Sequence, residues 1–371
     1  MSSRPWLRWL VPLAAVLAIV ATTLVAGNAS ADEKLPPRSA DQLLVDLQQA
    51  NVDGFSGTVQ QSADLGIPAL PGVSEHGSDF TSLISGTHTL RVAYAAPDSS
   101  KVSLLGDLSE SSIIRHGDDL WTWSSKENEA THTTIDADAR KASPKDLPAD
   151  APKTPQEAAQ RILAASADST NVSVATDTTV AGRAAYELVL TPKDDRSLIS
   201  SIRIAVDGTE HVALRVQVFA DDRTAPVAAI GFTAVDFATP AASEFEFTPP
   251  KGAKVTEVDP EEHSKPSQAD REAAKKAREQ AEPTIVGEGW TSVAVGKLPT
   301  DDLSSTKAGG QGRSADNEVD LQAYLAQLPK VSGSWGSGRL LAGTAFSVVI
   351  TDDGRYAVGA VAPDLLYAAL G

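Results

Sequence analysis

The sequence contains no cysteine in 371 residues. That excludes disulfide staples, thiol catalysis and an N-terminal lipidated cysteine. Aromatic residues are scarce, at 5%. Positive charge is short as well: 32 Lys and Arg face 49 Asp and Glu, a formal net charge of −17. A surface that acidic repels phosphate backbones and anionic headgroups at long range, so nucleic acid is not an expected partner. The plain reading of the acidity is solubility outside the cell.

Catalytic signatures are also missing. His76, His88, His116, His132, His211 and His263 show no metal-ligand spacing such as i, i+4 on a helix. Gly333-Ser334-Trp335-Gly336-Ser337-Gly338 lacks the glycine two positions before either serine that a nucleophile elbow needs. There is no phosphate-cradling glycine motif opening a helix, and no internal repeat. Asp352-Asp353-Gly354 has too few oxygen ligands for calcium and reads as a hairpin turn. Asn171-Val172-Ser173 matches a glycosylation acceptor, a pattern common by chance. No catalytic residue, metal or cofactor is expected, and the chain does not read as an enzyme.

What is present begins with a leader. Arg4 and Arg8 precede an uncharged run from Leu10 to Gly27, and Ala29-Ser30-Ala31 follows as a small-x-small cleavage pattern. Residues 1–31 read as a secretory signal peptide; an uncleaved anchor is the alternative, since the run approaches the length of a membrane span. Either places the remainder outside the cytoplasm, in the cell envelope or secreted.

Ser39 can cap a helix carrying Leu43, Leu44 and Leu47 on one face. Phe55–Ser62 begins a strand, and 64–86 reads as a long irregular excursion. From 87 the period becomes two, and turns at Pro97-Asp98 and Gly117-Asp118-Asp119 give a meander. Thr154-Pro155-Gln156-Glu157 starts a second helix after a polar linker over 137–153. Alternation resumes at Val172 and runs through a hairpin at Asp207-Gly208 to Phe232. Nine or ten strands are expected between 55 and 248. Residues 259–283 carry many charges, among them Glu261, Lys265, Asp270, Arg271 and Lys275, with no apolar stripe, and read as a solvated helical linker. Residues 284–371 form a smaller α+β module, with extended segments at 285–286, 293–295 and 346–361 and helical spacing at Leu321, Tyr324, Leu325 and Leu328.

Several stretches carry a resemblance, in one order along 39–256. Phe245-Glu246-Phe247-Thr248-Pro249-Pro250-Lys251-Gly252-Ala253-Lys254-Val255 resembles the closing segment of the LolA family of periplasmic lipoprotein carriers, which ends its sheet with a phenylalanine strand followed by Pro-Pro-x-Gly-x-x-Val. Gly117-Asp118-Asp119-Leu120-Trp121-Thr122-Trp123, Tyr186-Glu187-Leu188-Val189-Leu190-Thr191-Pro192-Lys193, Ile204-Ala205-Val206-Asp207-Gly208-Thr209 and Phe55-Ser56-Gly57-Thr58-Val59-Gln60-Gln61 resemble its other strands and turns. The related RseB/MucB type, which holds an anti-sigma factor, shares the fold and adds a second domain. The composition, rich in Gly, Ala and Asp, suggests an exported member of actinobacterial type. Ala96-Pro97 stands where the carriers have an Arg-Pro pair.

The resemblance implies an α+β fold: an antiparallel sheet curled into an incomplete, half β-barrel, with helices covering its concave face. It implies a half-barrel domain over 32–258, a charged linker over 259–283 and a small C-terminal module over 284–371. It further implies a non-enzymatic lipid- or lipoprotein-binding protein that holds acyl chains in the hollow. The alternative is an envelope sensor that binds a membrane-anchored anti-sigma factor. The residues expected to line the hollow are Leu90, Val92, Tyr94, Val102, Leu104, Trp121, Trp123, Leu188, Leu190, Ile202, Ile204, Leu214, Val216, Val218, Ile230 and Phe232. Period two alone does not say which face points inward.

Overall fold

The computed structural model describes residues 35–67, 78, 80–135, 169–221, 223–258, 283–298 and 321–371. The leader, the second helix expected from Thr154 and the charged linker over 259–282 lie outside the described residues.

Helix α1 spans Ala40–Gln49. Its start follows the sequence closely. The Ser39 hydroxyl accepts from the Gln42 amide while the Gln42 side chain accepts from the Ser39 amide, a reciprocal capping box. Leu43, Leu44 and Leu47 face the sheet.

Twelve strands build one sheet. They are β1 (Gly54–Ala63), β2 (Gly86–Ala95), β3 (Ser99–Leu105), β4 (Glu110–His116), β5 (Asp119–Ser124), β6 (Glu129–Thr134), β7 (Thr170–Val180), β8 (Arg183–Pro192), β9 (Ile199–Asp207), β10 (Ala213–Ala220), β11 (Ala228–Asp236) and β12 (Lys254–Val258). The order is β12-β6-β5-β4-β3-β2-β1-β11-β10-β9-β8-β7. Two hairpin-connected meanders, β1–β6 and β7–β11, are thus joined where β1 pairs with β11. The sheet curls without closing. β7 comes back into contact with β11 although three strands separate them, and the Arg183 guanidinium at the start of β8 lies 4.1 Å from the Phe237 ring just beyond β11. A bulge at Thr58/Val59 and another at Ala213/Arg215 add the local bend such a curl needs.

Two sequence expectations are corrected here. Among the described residues, eleven strands rather than about nine or ten precede residue 248. β6, with the sequence EATHTT, has no apolar alternation to betray it. The phenylalanine stretch is also not a closing strand: Ala242–Glu244 is a single 3-10 turn and Phe245 to Pro249 is not paired. The ladder resumes only after Pro249-Pro250 and Gly252, whose φ of 90° suits glycine, and β12 then pairs in parallel with β6. The direction follows from the path. The chain leaves β11, crosses the sheet and arrives at β6 running the same way, as a crossover does.

A second sheet holds β13 (Thr284–Val286), β14 (Val293–Lys297), β15 (Lys330–Gly333), β16 (Gly336–Ala342), β17 (Ser347–Thr351) and β18 (Arg355–Gly359), in the order β13-β14-β18-β17-β16-β15. Helix α2 (Leu321–Gln327) precedes β15 and helix α3 (Pro363–Leu370) ends the chain. Leu366 and Leu370 of α3 seal a core with Val293, Trp335, Val349, Ala357 and Val361. The glycine-rich loop around Trp335 is the β15–β16 hairpin turn.

The two sheets touch. Ser197 and Val361 form a β-bridge, and the Leu198 amide donates to Ala360 O at 2.8 Å. The Thr344 amide donates to Leu65 O at 2.7 Å, and Trp290 Nε1 donates to Thr170 Oγ1 at 2.6 Å. Ala345 is buried with Ala220 and Val227, and Ile199 and Val218 pack against them.

Candidate functional site

Register decides which residues share a face. Leu104, Leu90, Val59 and Phe232 stand opposite one another across β3, β2, β1 and β11. Ile113, Val102 and Val92 form the next row across β4, β3 and β2, and it ends at Gly57. A β-carbon on Gly57 would meet Phe232 Cε1 at 2.9 Å, so the glycine makes room for that ring. Two further rows run Ile230, Val216, Ile204, Leu188, Val174 and Val218, Ile202, Leu190, Val172. All four rows lie on one face. Phe55 adds ring contacts to Tyr94 and Phe232, with centroids 5.9 and 6.0 Å away.

That face is sealed at one end and in the middle. Helix α1 closes the β7–β9 end, where Leu43 is buried with Tyr186, Leu188 and Val206. The turn Phe80–Ile84 closes the middle, with Phe80 and Leu83 on the cluster that contains Val59 and Leu90. Two polar side chains tie it down. Gln61 Nε2 donates to Leu83 O at 3.0 Å, and His88 Nε2 lies 2.8 Å from Ser85 O. The crevice lined by Val59, Leu214, Val216, Ile230 and Phe232 does not admit a water molecule. The β2–β4 end is more open. Val92 and Val102 are half-buried, and Ile113 is 41% exposed.

Most of the residues expected to line a hollow share this face. Leu90, Leu104, Leu188, Leu214, Val216, Ile230 and Phe232 are buried in it. Val92, Tyr94, Val102, Leu190, Ile202, Ile204 and Val218 are half-buried. Trp121 and Trp123 are not brought together with them. Trp121 pairs with Ile114, Ile114 with Lys101, and Lys101 with Ala93, which puts both tryptophans on the reverse face. Ile113, which is not among the residues expected to line the hollow, joins this face as well: only the register shows that Ile114 is buried on the reverse face while Ile113 continues the Val92–Val102 row.

The reverse face carries the crossing segment 237–253. Lys101 Nζ lies 3.4 Å from both the backbone oxygen and a carboxylate oxygen of Glu244. Phe245 is buried, and the Phe247 ring sits 5.4 Å from Trp121 and 5.9 Å from Trp123. Asn128 Nδ2 donates to Gly252 O at 2.8 Å. The two tryptophans are therefore the bed of a strap that runs from β11 to β12.

At the end of the strap, His132 of β6 stacks on Trp121, with ring centroids 4.3 Å apart. Its Nε2 lies 3.0 Å from Asp119 Oδ1 and its Nδ1 2.7 Å from Glu257 Oε2. Burial by itself would lower the imidazole pKa; the hydrogen bonds to Asp119 and Glu257, with the charges of both carboxylates, outweigh it and raise the group above its ordinary value. Among the described residues, no group of three His, Asp or Glu is placed to hold a metal ion. No described helix is long and apolar enough to cross a membrane.

No protein-family model and no curated protein matches the sequence. Among solved structures, the MucA/MucB complex of Pseudomonas aeruginosa is similar over 89% of this chain and 96% of that one, at 12% identity and a TM-score of 0.43. MucB in complex with periplasmic MucA is similar over 89% and 97%, at 14% identity and a TM-score of 0.43. A LolA-superfamily protein of Nitrosomonas europaea is similar over 57% and 99%, at 12% identity and a TM-score of 0.20. The chain is thus similar to MucB and to LolA-superfamily proteins, at identities and scores that assign it no partner.

Proposed function

We propose that the chain is an exported, non-enzymatic carrier that holds the acyl chains of a lipid or lipoprotein against one face of its 12-stranded sheet. The observation that carries this reading is the row Val92–Val102–Ile113, which continues the buried core outward into solvent. Single exposed apolar residues are ordinary. This one extends a row whose half-buried members Val92 and Val102, with Tyr94 beside them, make a strip against which a hydrocarbon would lie, over the buried Leu90 and Leu104. Each methylene buried there contributes about 0.8 kcal/mol, so a chain of roughly a dozen offsets the several kcal/mol that association costs. The packed middle of the face, around Leu214, Val216 and Ile230, serves as a floor rather than a pocket.

The test is titration of the full chain with a fluorescent fatty acid, wild type against Ile113→Asp and Val102→Asp. A carboxylate in the strip is expected to weaken binding tenfold or more, because an unpaired charge resists desolvation. Unchanged affinity in both variants, or repeated purification from the host without any bound lipid, removes the reading.

The contact between the two sheets favours a second reading. The bridge from Ser197 to Val361 and the burial of Ala345 hold two surfaces together, as a receptor for a larger partner would need. That partner would be a membrane-anchored anti-sigma factor. Capture of such a factor from host membranes by the full chain supports it, and recovery of none argues against it.

A further inference from the structure

We propose that His132 is a proton-dependent clasp that holds β12 on the β6 edge of the large sheet. The argument starts from hydrogen-bond capacity. A neutral imidazole donates from one nitrogen and presents a lone pair at the other; only the protonated ring donates from both. Here both nitrogens face carboxylate oxygens, Asp119 on β5 at 3.0 Å and Glu257 on β12 at 2.7 Å. A carboxylate has no proton to offer, so the neutral ring leaves one of these contacts as a repulsion between lone pairs. The two partners come from strands on either side of β6, because β5 and β12 are its neighbours. The protonated ring therefore ties β12 across β6 to β5. Trp121 lies against the ring and fixes its plane. Among the described residues, Asp119 and Glu257 are the charged groups that face it.

β12 is a strand for which such a tie matters. Lys254, Val255, Thr256 and Glu257 are all exposed, and Val255 is 44% exposed. No apolar face of β12 is buried to hold it. Its ladder is parallel and lies at an edge. The other side-chain ties are at its beginning: Lys254 Nζ donates to Glu129 Oε1 at 2.7 Å, and Asn128 reaches back to Gly252. Neither of these changes charge between pH 5 and 8 by its chemical type, whereas an imidazole does. The far half of β12, nearest the chain that leads on toward the second sheet, is held by Glu257 and His132 alone among the described side-chain contacts.

The sign follows from the direction of the shift. The His132 pKa is raised, so the stabilisation is fully present below the ordinary imidazole value and is lost as pH rises through the raised one. Mild acid, above the ordinary carboxylate range, therefore closes the clasp, and alkaline pH loosens it.

The experiment is amide hydrogen exchange of the full chain by NMR at pH 5.5 and pH 8.0, corrected for intrinsic exchange and read over residues 254–258, together with titration of the His132 ring. Protection there is expected to fall roughly two- to fivefold from the lower to the higher pH, the upper part of the range that exposed ion pairs span, while β1 and β11 stay unchanged. In His132→Gln that pH difference is expected to vanish with the fold intact. In Glu257→Gln the ring is expected to titrate at lower pH than in the wild type. Equal protection at both pH values in the wild type, or a pH difference that survives in His132→Gln, overturns the proposal. So does a ring titration that Glu257→Gln leaves in place.

Discussion

At the scale of single residues, the acidic composition conceals a few tightly placed charges. Arg183 and Asp207 form a buried pair with side-chain exposures of 11% and 1%, and Arg183 Nη2 donates to Asp207 Oδ1 at 2.9 Å. Asp207 also accepts from the amides of Thr209 and Glu210, so it shapes the β9–β10 turn as well as neutralising the arginine. The Arg183 guanidinium over Phe237 brings the starts of β8 and of the strap together. Asp207→Ala removes the carboxylate that pairs with Arg183 and that accepts from the turn amides. Denaturant unfolding should show a loss of a few kcal/mol, on the order of 2–4, for breaking a buried charge-assisted pair and a turn together. Asp207-Gly208 is a hairpin signal in the sequence, and the β9–β10 turn forms there. The arginine has no local signal, because Arg183 is 24 positions away and is brought near only by sheet pairing.

At the scale of elements, legibility tracks how local the determinants are. Helix α1 was visible because its cap and its leucines lie within a few residues of one another. The β17–β18 hairpin was visible for the same reason, through Asp352-Asp353-Gly354. In that turn, the Thr351 hydroxyl and the Arg355 guanidinium, the latter at 2.9 Å, donate to Asp353 and hold its pKa down to about 2. A depressed carboxylate pKa contributes stability above the unfolded value of 3.8 and loses it as pH falls toward 2. The hairpin amides of 351–355 should therefore lose exchange protection as pH drops from 5 to 2, and Asp353→Asn should flatten that dependence. Elements whose definition is non-local were illegible. β6 has threonine on both sides and is a strand because β5 and β12 flank it. The Phe245–Phe247 stretch alternates like a strand yet pairs with nothing, since it crosses other strands instead of running beside one.

At the scale of the whole molecule, the two sheets share buried surface around Ala345, Val227 and Ala220. A charge placed there must be desolvated among apolar neighbours while the sheets stay together, which is costly. Ala345→Glu should split a single thermal transition into two, monitored by calorimetry, with the large sheet keeping its strand pairing by NMR. One unchanged transition would show that the contact carries little of the stability. The apolar face proposed to bind a guest and the proposed His132 clasp lie on opposite faces of the same sheet, so variants at Ile113 and at His132 should act independently.

The sequence by itself determined the period of most strands, the cap of α1 and the acidic balance of charge, because each rests on residue chemistry or on spacing within one element. Tertiary structure alone decided which face each alternating residue joins. A strand offers two faces of equal standing, and only the register with its neighbours breaks that symmetry. That is why Trp121 and Trp123, set beside Leu90 and Val102 by pattern, belong to the strap, and why Ile113 rather than Ile114 stands at the open end of the apolar face.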